Sequence, residues 1–134
     1  MPGELIPADL QQFILKSIDS IAQLEALLLL AAGPNERWTV PVIAARLYIS
    51  EAEAKSLLDR LVAEGLIALE GEPAAYRYQP ASAELDARVK ALAEAYRTHL
   101  VPVTNLIHTK PRTRVQEFAD AFKLRKDEVR KDEE

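Results

Sequence analysis

The sequence holds no cysteine. That removes disulfide scaffolds, thiolate metal sites and cysteine nucleophiles together, and it fits a protein of the reducing cytoplasm. Only four glycines occur, and none sits in a phosphate-cradling pattern. There are only two histidines, His99 and His108, and neither has an acidic or histidine partner three or four residues away, so no helical metal pair can form. HExxH and GxSxG patterns are absent. The longest apolar run, 26–32, is far short of the roughly 20 residues that span a bilayer. The N-terminus lacks a basic stretch followed by an apolar one, so no secretory signal is expected. Nor is there an excess of positive charge: the net charge is −4, so any nucleic-acid affinity must come from a local patch. No catalytic residue, metal or cofactor is expected, and the chain does not read as an enzyme.

What is present is an apolar fraction of 49% across 134 residues, enough for one folded domain. From Pro7 to about Ala32 the chain can run helical, as one helix or two joined at a bend. Leu10, Ile14, Ser17, Ile21, Leu24 and Leu28 fall at alternating spacings of four and three along it. Thr39 can cap the next helix with Pro41 in its first turn, and Val42, Ile43, Ala45 and Leu47 supply its apolar residues. Tyr48 and Ile49 make a turn, with Ile49 facing inward. Ser50 followed by Glu53 is a capping box that opens a further helix. Ala54, Leu57, Leu58, Leu61 and Val62 line that helix, and Gly65 ends it. Leu66–Leu69 and Tyr76–Tyr78 read as two short strands around Gly71-Glu72-Pro73.

After Ser82, a helix cap, the residues Leu85, Val89, Leu92, Tyr96, His99, Val103 and Leu106 step by four and three. This is a heptad seam with one polar member, His99, and Leu85 to Val103 form a candidate dimer seam. Pro102 lies off the seam and should kink or end the helix. Beyond a break at Lys110-Pro111, the residues Val115, Phe118 and Phe122 share one face of an amphipathic segment, a candidate docking face for a partner. The domain reading is 1–109 for the body, with a module core at 24–80, and 110–134 for the C-terminal helix and charged tail.

Helix, turn, capped helix, glycine stop and hairpin follow one another in the order of a winged helix-turn-helix. Leu24-Glu25-Ala26-Leu27-Leu28, the Ser50 cap, and Glu64-Gly65-Leu66-Ile67 leading into the hairpin resemble the bacterial winged-helix regulators of the broad MarR/PadR group. The resemblance implies a mainly α fold with a small β-hairpin, flanked by long N- and C-terminal helices. It also implies a cytoplasmic homodimer that regulates transcription by binding double-stranded DNA. Lys55, Ser56 and Arg60 on the second helix of the motif, and Arg77 on the wing, are the candidate DNA contacts. Against them stand Glu51 and Glu53 in the first turn and Glu70 and Glu72 at the wing tip, which repel phosphate. Those acids leave open an alternative: a protein-interaction module that does not bind DNA and engages a partner through its C-terminal helix.

Overall fold

The computed structural model describes residues 6–109. The expected docking face at Val115, Phe118 and Phe122 lies outside the described residues. Six helices and one hairpin follow in the order α1 (Ala8–Ser17), α2 (Ile21–Ala32), α3 (Val40–Leu47), α4 (Glu51–Ala63), β1 (Ile67–Glu70), β2 (Ala75–Tyr78), α5 (Ala83–Thr98) and α6 (Leu100–His108). The fold is mainly helical with a two-stranded antiparallel hairpin, as the sequence led us to expect.

The first helical stretch divides in two at Asp19-Ser20, and local chemistry explains the division. The Ser20 hydroxyl accepts from the Gln23 backbone N–H at 3.1 Å. The buried Gln23 amide then takes the Asp19 N–H at 2.8 Å and donates to the Ser17 carbonyl at 2.9 Å. A buried glutamine with all of these bonds made is satisfied, and it holds the bend between the two helices. This S-x-x-Q box was present in the sequence and went unread there.

Helix α2 is the hub. Leu24, Leu27 and Leu30 are wholly buried, and the helix touches α3, α4, α5 and β2. Helix α4 returns Ala54, Leu58 and Leu61 to that core. Its start and stop are as read: the Ser50 hydroxyl accepts from the Glu53 N–H at 3.0 Å, and Gly65 takes φ +79 just past its end. An L-residue there would suffer the clash of its Cβ with the following carbonyl oxygen.

Two local expectations are corrected. Thr39 stands at the N-cap of α3 but its hydroxyl makes no capping bond. The inward face of α3 is Ile43 and Ala44, with Leu47 partly covered, whereas Val42 is 45% exposed. The set read from sequence spans more of the helix circumference than one buried stripe can use.

The hairpin pairs Ile67 with Tyr78 and Leu69 with Tyr76. A third piece of backbone joins it. Trp38 and Tyr76 exchange backbone bonds at 2.8 and 2.7 Å, which ties the loop before α3 to β2.

Pro102 ends the seam helix early. A proline ring clashes with the carbonyl four residues before it, and that residue is Thr98, the last of α5. The chain breaks at His99, and Pro102 falls in the first turn of α6, where its missing N–H costs nothing.

Candidate nucleic-acid interface

Helix α4 presents Glu51, Ala52, Glu53, Lys55 and Ser56 to solvent. Of the four residues expected to meet DNA, Ser56 is an exposed hydroxyl, and the three cations are all bonded to acids of the same chain. The Lys55 ammonium lies 2.6 Å from the Asp59 carboxylate, one helical turn on. The other Asp59 oxygen accepts from the buried Tyr76 hydroxyl at 2.6 Å, so the wing grips α4 through this carboxylate. The hydrogen bond from Lys55, then that from Tyr76, holds the Asp59 carboxyl below its ordinary value. Burial first, and the Asp59 bond second, push the Tyr76 phenol up to about 12.

Arg60 faces the other way. Its guanidinium lies 2.6 Å from Asp19 and 3.1 Å from Glu64, and it also reaches the Lys16 carbonyl at 3.4 Å. Ser17 donates to the far oxygen of Glu64 at 2.9 Å. Arg60 therefore fastens α4 to the α1–α2 bend, and of the other expected contacts Ser56 alone lines its groove, of about 360 Å³. Lys55 and Arg77 do not line that groove. Arg77 pairs with Glu70 at 2.8 Å and donates to Gln79 at 3.1 Å.

The wing has a clamp that the sequence did not reveal. Arg37, in the loop after α2, donates to the backbone carbonyls of Glu70 and Pro73 across the hairpin turn. Gly71, at φ +91 in that turn, leaves the space the guanidinium occupies; a Cβ there would collide with it. Arg46 lies 5.5 Å from the centre of the Trp38 ring, a cation–π contact.

Three members of the heptad seam turn inward, while Leu85, Tyr96 and His99 are partly exposed. Val89, Leu92 and Val103 are at most 1% exposed inside a single chain, with α5 and α6 packed on α1 and α5 also on α2. They have no surface left to offer a second copy. His99 interrupts the two helices, and Tyr96 is fastened to Glu25 of α2 at 3.1 Å. The apolar residues that α6 does expose are Leu100 and Val101, at 52% and 65%, and both lie off the seam.

Among the described residues no cluster of three or more His, Asp or Glu is placed to hold a metal. No helix among them is long and apolar enough to cross a membrane.

Residues 20–77 match the model of the MarR family. Comparison with curated proteins found no match. Among solved structures, the transcriptional regulator Tm0710 from Thermotoga maritima superposes with a TM-score of 0.50 at 11% identity, over 88% of this chain and 83% of that one. The transcriptional regulator MosR from Mycobacterium tuberculosis gives 0.49 at 17% identity, over 79% and 76%. A MarR family protein from Bacillus stearothermophilus gives 0.48 at 16% identity, over 91% and 86%. The matched segment runs from the α2 cap, Ser20, to the wing strand, so the helix-turn-helix and hairpin are the part of this chain that is similar to the MarR family, and they are folded as a winged helix.

Proposed function

We propose that this chain is a cytoplasmic transcriptional regulator that binds double-stranded DNA as a homodimer. One observation carries the reading: in a module similar to a regulator family, the outward N-terminal face of α4, Glu51 to Ser56, stands exposed and uncovered by any other described element. A helix so placed can enter the major groove, with its first residues against base edges. Lys55 and Ser56 contact DNA from α4 and Arg77 from the wing, while Arg60 holds α4 in place. Exposed Leu100 and Val101 supply apolar surface for the second copy.

Affinity for a mixed-sequence duplex, measured by fluorescence anisotropy between roughly 50 and 200 mM salt, tests the reading. We expect affinity to fall steeply as salt rises, and Lys55→Glu to weaken binding and flatten the slope. No binding at the low-salt end would end it. A second reading would then stand, a protein-interaction module without DNA affinity. It is favoured by the pairing of Lys55, Arg60 and Arg77 with carboxylates of the chain itself.

A further inference from the structure

Tyr48 is the residue whose placement the fold does not account for. It sits in the turn between α3 and α4, two positions before the Ser50 cap, at φ 58 and ψ 46. It is the one non-glycine residue with positive φ among the described residues. A bulky side chain is a genuine outlier in this left-handed region, where glycine or asparagine is the ordinary choice. Its backbone N–H closes α3 on the Ala44 carbonyl, but no described residue holds its side chain. The side chain is 95% exposed, and it makes no hydrogen bond or ring contact with any described residue. A strained backbone holding up a fully exposed aromatic ring points to contact with something outside the chain.

We propose that Tyr48 is a DNA-backbone contact, its phenol hydroxyl donating to a phosphate oxygen beside the groove that α4 enters. This rests on the DNA-binding reading above. The turn precedes the N-terminal end of α4, the end that a helix-turn-helix presents to base edges. Tyrosine is among the side chains that bond phosphate without carrying charge. The local electrostatics favour a neutral donor here. Glu51 and Glu53 open α4, and the cations of α4 are taken by Asp59, Asp19 and Glu64. A phenol reaches phosphate without having to break an ion pair first.

The test uses the full chain and its Tyr48→Gly and Tyr48→Phe variants, with urea unfolding beside anisotropy on the same duplex. Glycine relaxes the backbone, so Tyr48→Gly should be at least as stable as the parent yet bind DNA about 10- to 100-fold more weakly, the order of one charge-assisted bond. Because no cation is lost, the slope of log affinity against log salt should not change. Tyr48→Phe should lose most of the same affinity, since it keeps the ring and removes the donor. Parent-like DNA binding by Tyr48→Gly would overturn the proposal and leave the DNA-binding reading standing. Loss in Tyr48→Gly with none in Tyr48→Phe would overturn the hydroxyl contact in favour of the ring. If the parent itself does not bind DNA, both fall together, and Tyr48 becomes a contact for a protein partner.

Discussion

Replacing Arg60 by alanine separates its two possible roles, because one is read in stability and the other in DNA affinity. The guanidinium joins α4 to Asp19 at 2.6 Å and to Glu64 at 3.1 Å, with 38% of its side chain exposed and the two carboxylates 21% and 19% exposed. Fully exposed pairs contribute about 0.5 kcal/mol or less, and buried ones several. For two partly covered pairs that share one already ordered side chain, we expect a combined loss of about 1–2 kcal/mol. That should lower the melting midpoint by roughly 5–10 °C. The assay is urea unfolding followed by circular dichroism, with the dependence on denaturant unchanged and only the midpoint shifted. The double variant Arg60→Ala, Glu64→Gln should recover part of the loss, since it removes the charge of a partly covered carboxylate that has lost its guanidinium. An Arg60→Ala chain that unfolds like the parent but binds DNA with a shallower salt slope would refute the structural role. It would return Arg60 to the phosphate contact its position in the sequence suggested.

Three further outcomes follow from the same geometry. Gly65→Ala places a Cβ 3.4 Å from that of Ala81 at φ +79, and should cost about 1–2 kcal/mol in urea unfolding; no loss would mean that the α4–β1 turn relaxes freely. Tyr76→Phe removes the hydrogen bond to Asp59 and should cost about 1 kcal/mol at neutral pH, toward the lower end for a charged acceptor because Asp59 is half exposed. The pH dependence then has two arms. The folded Tyr76 phenol is raised to about 12, so its contribution is complete below its ordinary value of about 10 and is lost as pH climbs through 12. The folded Asp59 carboxyl is lowered, so its contribution is present above about 4 and is lost as pH falls further. Unfolding midpoints measured across pH should show both arms in the parent, whereas Tyr76→Phe should lose the alkaline arm of Tyr76 and keep a weaker acid arm, since Lys55 still holds Asp59 down; equal pH profiles for the two would refute the linkage.

Most of the fold was legible because its signals are local. A serine hydroxyl reaches the N–H three residues on, and a glycine tolerates positive φ whatever surrounds it. A proline collides with the carbonyl four residues back. Ser50, Ser82 and Gly65 therefore marked ends of α4 and α5 correctly, and Pro102 marked the break in the seam. Thr39 shows the limit of the method, since a residue suited to capping is not obliged to cap.

The candidate site was less legible. Spacing named Lys55, Arg60 and Arg77 as cations on suitable elements, yet spacing carries no record of which acid each one meets. The partners of Arg60 on the α1–α2 bend lie more than 40 residues away in sequence, and Arg37 reaches the wing across 33 residues. The heptad pattern likewise established that one face of α5 is apolar, and only the packing of α1 and α2 decided that the chain itself covers it. Tyr48 was visible as a turn residue, but its exposure and left-handed backbone belong to the folded state. Sequence alone determined where α4 begins and ends and where α5 begins, because caps and breakers act within one turn. Tertiary structure decided which charges and apolar faces are left for a partner, because that depends on contacts the chain makes only when it has closed on itself.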